Sequence, residues 1–211
     1  MNRALTESPV IIAMTGASGA AYGLRLLECL IHAQRPVYFM LSKAAQIVLA
    51  METELTVPHK PAELEDWLSQ RYAAQSGQIR VFGRDQWSAP VASGSHTARH
   101  MVVCPCTTGT LAAIANGNSD NLIERAADVM IKERRELILV LRETPLSSLH
   151  LENMLKLSRA GVTIMPANPG FYHKPTSIDD IVDFMVARIL DHLQVPHRLI
   201  ARWGLDDDST F

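Results

Sequence analysis

Several short stretches of this chain combine small, hydroxyl-bearing or charged residues in a way that suits phosphate chemistry. Thr15, Gly16, Ala17, Ser18 and Gly19 form a tight turn between the apolar run Val10–Met14 and an amphipathic segment. Gly16 and Gly19 let backbone N–H groups approach an anion, the dipole of the following helix favours negative charge, and the Ser18 hydroxyl adds a donor. Phosphate is the natural guest of such a turn, although the same residues also make a plain strand-to-helix connection. The spacing Gly16, Gly19, Gly23 is not G-x-G-x-x-G, and no Gly-Lys-Ser/Thr follows, so a mononucleotide suits the loop better than NAD or ATP.

A second turn of the same kind follows the strand Met101–Cys104, where Thr107, Thr108, Gly109 and Thr110 open a small-residue helix. It can bind an anion or an amide, and threonines also cap helices for no further reason. Arg142-Glu143 closes the apolar strand Leu137–Leu141, and ligands of open parallel sheets collect at such carboxyl ends. Ser42 closes Val37–Leu41 in the same way and reads equally as the cap of the next helix. Glu52 falls near the end of the helix 44–53, where it opposes the dipole, and reads as a functional carboxylate or a solvated one. Arg125 and Lys132 are two turns apart on one helix face, the spacing of a solvated stripe. The loop Pro166–Pro175 presents Tyr172 and Lys174, Arg188 lies within the helical pattern Ile178–Leu193, and Trp203 stands just before the acidic end of the chain.

These residues must be positioned by a fold of moderate size. The chain has 211 residues, enough for one α/β domain spanning 1–211, with a core over about 10–203 and a mobile acidic tail at 204–211. A net charge of -2 without Lys/Arg runs leaves no footprint for nucleic acid or an anionic membrane. No apolar run approaches the roughly 20 residues of a membrane helix, and the N-terminus lacks a signal h-region, so a cytoplasmic protein is expected. Cys29, Cys104 and Cys106 follow no C-x-x-C spacing and read as buried reduced thiols, with no zinc framework. The segment 87–97 reads as a flexible loop too polar for a core. Five apolar strands alternating with helices give a single doubly wound parallel sheet of Rossmann-like or flavodoxin-like type, with helices on both faces.

The ordered set TGASGA with Gly23, SKAA at 42–45, ASGS at 92–95, PCTTGTL, ERAADVMIKERR, RETPLS, MPANPGFYHKP and the terminal ARW resembles the flavin prenyltransferases of the UbiX type. The resemblance runs from about Val10 to Trp203. It implies an enzyme that joins the dimethylallyl group of dimethylallyl monophosphate to N5 and C6 of reduced FMN, without a metal. The prenylated FMN made would then serve a UbiD-type decarboxylase, as in ubiquinone biosynthesis.

Carried over by motif, the resemblance gives Gly16, Ala17, Ser18, Ser42, Thr107, Thr108, Gly109, Thr110 and Arg142 contact with FMN. It sets Arg125, Lys132, Arg142, Glu143, Tyr172 and Arg188 around the prenyl phosphate, and gives Ser18, Glu52, Lys132, Glu143 and Trp203 catalytic parts. It also implies a large homo-oligomer, a dodecamer, with sites between subunits. A carboxyl beside a phosphate is poorly used as a binding group, so Glu143 is expected to move a proton. Two other readings are an FMN-dependent decarboxylase of the cysteine-decarboxylase superfamily, whose P-A-S-A-N-T and P-x-M-N motifs are missing, and a non-catalytic FMN carrier, which has no use for Arg142-Glu143, Tyr172 and Arg188.

Overall fold

Parallel strands are covered on both faces, so their apolar residues run on without alternation, and β1 (Val10–Met14) is buried along its whole length. The computed structural model describes residues 8–95 and 98–201. After β1 come α1 (Ala20–His32), β2 (Val37–Leu41), α2 (Lys43–Glu52), α3 (Pro61–Arg71) and β3 (Ile79–Phe82). The second half holds β4 (His100–Cys106), α4 (Thr108–Ala115), α5 (Leu122–Lys132), β5 (Glu136–Leu141), α6 (Ser148–Arg159), β6 (Thr163–Pro166) and α7 (Ile178–His192).

The sheet order is β3-β2-β1-β4-β5-β6, and the pairings are parallel throughout. Val10 lies opposite Val37 on one side and His100 on the other, so β1 is central and the winding direction reverses between β1 and β4. The carboxyl ends of those two strands therefore flank the crevice where open α/β sheets bind ligands. Alternate residues of each strand feed two cores. Ile12, Met14 and Phe39 pack with α1, α2, α3 and α7, while Ile11, Ala13, Met101 and Val103 pack with α4, α5 and α6.

The sheet has six strands, one more than the five expected, and short β3, interrupted by exposed Arg80, is a strand at Ile79–Phe82 as the sequence indicates and pairs with β2 over its whole length. The segment 87–97 also departs from its reading as a polar, flexible loop. Ala89, Val91 and Ala98 are buried, Pro90–Ala92 forms a single 3-10 turn, and the backbone is tied down by arginines. Arg125 Nε donates to the Ala92 carbonyl, and Arg135 donates to those of Gly94 and Ala98. Residues 96–97 and the tail, including Trp203, lie outside the described residues. No described helix is long and apolar enough to cross a membrane.

Close packing of α1 on the sheet depends on Gly23, where an added Cβ would lie 2.5 Å from the Cys104 carbonyl oxygen and 2.8 Å from the Met14 side chain. Backbone cannot swing aside as a side-chain tip can. Gly23→Ala is expected to cost about 1–3 kcal/mol, seen as a fall of about 2–12 °C in the thermal midpoint. An unchanged midpoint would show that α1 can lift from β4 without penalty.

Candidate active site

At the carboxyl ends of β1 and β4 lies a cavity of about 340 Å³ lined by Thr15, Gly16, Ser42, Lys43, Thr107 and Thr110. That volume falls in the range of small-ligand pockets, roughly 300–1,000 Å³. Phe82 and Ile123 add apolar wall. Two helices begin here. Ser42 caps α2 by accepting from the Ala45 amide at 3.1 Å, and Thr107 caps α4 by accepting from the Thr110 amide at 3.0 Å. The amides that precede those bonds, of Lys43, Ala44, Thr108 and Gly109, belong to the first-turn donors that a helix leaves without an internal partner. They suit an anion.

Gly16 serves the crevice by close approach. A Cβ there would lie 2.4 Å from that of Ala44, so the turn after β1 rests directly on the first turn of α2. One amide of the turn itself, that of Gly19, is not open to phosphate as the sequence reading has it. Glu52 Oε2 accepts from the amides of both Gly19 and Ala20 at 2.9 Å. The carboxylate that opposes the dipole of its own α2 thus caps the positive end of α1. Its placement is favourable once the second helix is counted.

Partial burial raises the Glu52 pKa. Hydrogen bonds from the Ser18 side chain and the Ala20 and Gly19 amides, with the nearby Arg142 charge, outweigh it and hold the carboxyl below its ordinary value. Arg142, at the end of β5, crosses β4 to reach this turn and donates from Nε to the Ser18 carbonyl at 3.3 Å. Ser18, Glu52 and Arg142 therefore meet in space, although they come from three separate stretches. Glu143 is exposed beside them and accepts from the Thr144 amide at 3.0 Å. Tyr172, on the loop after β6, is 82% exposed.

The remaining cations stand elsewhere in the chain. Lys132 ends α5 shortly before β5 begins and pairs with Glu133, which places it at the amino edge of the sheet. Arg188 pairs with Asp191, one residue before His192, whose ring lies 3.7 Å from Glu136 at the start of β5. Both are about one strand length, roughly 20 Å, from Arg142 at the other end of β5, and α5 and α7 cover opposite faces. Arg125 is held between Asp128 and the Ala92 carbonyl. A single chain therefore does not gather Arg125, Lys132, Arg188 and Glu143 around one phosphate.

Thr15 of the first turn and Lys43 beside Ser42, neither given a ligand contact by the sequence, also line the cavity, as does Asn121. Thr15 was legible as the one polar residue directly after a continuous apolar strand. Buried Cys104 and Cys106 are held as thiols, Cys106 with its pKa pushed up to about 12. Among the described residues no cluster of three or more His, Cys, Asp or Glu side chains could hold a metal ion.

Comparison with known proteins gives the same fold and adds its chemistry. The Flavoprotein family model matches residues 1–190. Flavin prenyltransferase UbiX of Pseudomonas aeruginosa is 58% identical over 195 residues, 92% of this chain and 93% of that protein. A crystal structure of AnUbiX (PadA1) in complex with FMN and dimethylallyl pyrophosphate is 41% identical, covers 94% of this chain and 98% of its own, and superposes with a TM-score of 0.83. A dodecameric FMN-dependent UbiX-like decarboxylase from Escherichia coli O157:H7 is 39% identical over 93% of this chain and 99% of its own, with a TM-score of 0.80.

The Glu52 contact predicts a pH dependence. A carboxyl whose folded pKa lies below its ordinary 4.5 stabilises the fold above that value and loses the contribution as pH falls through the folded pKa. Glu52→Gln should lower the thermal midpoint at about pH 7, and the gap from the parent should narrow as the pH is taken below 4.5. A gap that stays constant over this interval would mean that the carboxylate charge does not hold α1.

Proposed function

This chain belongs to the UbiX-type flavin prenyltransferases of the Flavoprotein family, and on that premise we propose how its residues divide the reaction. The protein transfers a dimethylallyl group to reduced FMN. Bound reduced FMN would supply nucleophilic N5 and C6, and the chain's residues would hold it, stabilise the phosphate that leaves the allylic carbon and take up the proton lost from C6. The observation that carries the residue assignment is the convergence of Ser18, Glu52 and Arg142 at the β1/β4 switch point.

The crevice fits a flavin mononucleotide. Gly16 leaves the approach open, and the first turns of α2 and α4 offer amides for one phosphate, with Ser42, Lys43 and Thr107–Thr110 around them. Gly16, Ala17 and Ser18 form the rim, and Arg142 reaches across it. Glu52 is anionic near neutral pH and hydrogen-bonded to Ser18, so the pair can accept a proton given up by the flavin ring. Glu143, next to Arg142 in the chain, relays a proton between the flavin and the leaving phosphate. Arg142 supplies charge on one side of that phosphate, while Lys132, Arg125, Tyr172 and Arg188 complete its surroundings from neighbouring copies of the chain. Cations fixed before the reaction begins stabilise charge as it gathers on the departing oxygens. The resemblance gives Trp203 a further catalytic part. The phosphate carrier is dimethylallyl monophosphate, the enzyme works in the cytoplasm as a dodecamer, and its product passes to a UbiD-type decarboxylase.

Anaerobic incubation with reduced FMN and dimethylallyl monophosphate should yield, by mass spectrometry, a flavin heavier by one C5 unit. Product from the pyrophosphate but not the monophosphate would overturn the choice of substrate, and no product from either would overturn the assignment of the reaction to this crevice. In single turnovers Lys132→Ala and Arg188→Ala should bind FMN as the parent does and slow transfer by roughly 10–150-fold, the loss of one charge-assisted phosphate contact. Glu143→Gln keeps size and hydrogen bonding but moves no proton, and should slow it by roughly 10²–10⁴-fold. A Gln variant at the parent rate leaves Glu143 without a chemical part.

A further inference from the structure

Only two polar residues among those described are fully buried, Thr15 and Gln78. Gln78 satisfies backbone at the amino edge of the sheet, whereas Thr15, 4% exposed, stands at the crevice. The ladder between β1 and β4 pairs Ala13 with Val103, and the register of β4 against β5 shifts between Val103 and Cys106. Pro105 lies in that interval and has no N–H to donate. Beyond the Ala13–Val103 pair, the backbone bond that joins the strand ends flanking the crevice runs from the Thr15 amide to the Pro105 carbonyl.

Thr15 bridges the interval. Its amide donates to the Pro105 carbonyl at 3.1 Å, its hydroxyl donates to the same oxygen at 2.9 Å, and that hydroxyl oxygen accepts from the Thr107 amide at 2.9 Å. Thr107 in turn caps α4 and its hydroxyl donates to the Thr110 hydroxyl at 2.9 Å. One buried hydroxyl therefore sets where the first turn of α4 stands relative to the turn after β1. Valine has nearly the same shape but leaves the part-buried Thr107 amide without that acceptor.

We propose that Thr15 is a positioning residue for the flavin, its hydroxyl clamping the carboxyl ends of β1 and β4 so that the Thr107–Thr110 turn is preformed for FMN. The proposal rests on reading the crevice as the FMN site. The clamp itself is present in the flavin-free protein, so the two can fail separately.

The test uses the full-length protein in its native assembly, with hydrogen–deuterium exchange of the flavin-free form and FMN titration by fluorescence quenching. In the parent the Thr107 amide should be protected well beyond those of Thr108 and Gly109, and equal exchange of all three would overturn the clamp before any variant is made. Thr15→Val should speed exchange at Thr107 and raise the FMN dissociation constant, each by roughly 10–100-fold. Thr15→Ser restores the hydroxyl without the methyl group and should stay within about two-fold of the parent, since it leaves no donor unpaired. If Thr15→Ser loses as much as Thr15→Val, or if Thr15→Val binds FMN like the parent, Thr15 has no positioning role. Faster exchange in Thr15→Val with no FMN binding by the parent would keep the clamp and overturn the reading of the crevice as the FMN site.

Discussion

The first amides of a helix need acceptors, and in this fold three helices, α1, α2 and α4, begin at the same edge of the sheet within reach of one crevice. Had all three been left open, their positive ends would crowd together. The chain settles one of them internally, because the Glu52 carboxylate spans from the end of α2 to the amides of Gly19 and Ala20. The amides at the start of α2 and α4 remain, on either side of the β1/β4 switch point. A single phosphate can satisfy both, and much of the surrounding architecture keeps them in place: Gly16 against Ala44, the Ser42 and Thr107 caps, and the Thr15 bridge.

In the proposed division of roles the second phosphate, the one that must leave, is handled differently. The cations assigned to it there are dispersed over the chain, with Arg142 at the carboxyl edge and Lys132 and Arg188 about a strand length away on opposite layers. Concentrating several cations in one subunit would make them repel one another before substrate arrives. Dispersal avoids that repulsion in the free chain and gives association of copies a catalytic purpose. The exposed apolar side chains of α6, Leu149, Leu151 and Leu155, and those of Ile47 and Met51 on α2, are consistent with a chain that does not function alone.

Much of this was legible beforehand for a physical reason. A buried parallel strand requires an unbroken apolar run, so β1 and β2 appear in the sequence with the bounds that the structure gives them. Turns whose function lies in backbone geometry also announce themselves, as the residues around Gly16 and Thr107 do. Contacts between distant stretches do not. Nothing local in Glu52-Thr53-Glu54 tells that the first carboxylate reaches a helix 32 residues earlier, which is why the turn after β1 reads as an open phosphate site when it is partly filled. The segment 87–97 misleads for the opposite reason. Its small polar residues suggest mobility, and only Arg125 and Arg135, from a helix and a turn far along the chain, show that its carbonyls are fastened.

The central claim is that one crevice is completed by side chains from different copies of the chain. It is tested most directly by subunit complementation. Inactive assemblies of Lys132→Ala and of Arg142→Ala are dissociated, mixed in equal amounts and reassociated, and prenyl transfer is then measured. If the two residues reach one site from different copies, some mixed sites contain neither substitution and activity returns to a fixed fraction of the parent. If both residues serve a site within one chain, every site carries a substitution and the mixture stays as inactive as its components, a result that contradicts the account.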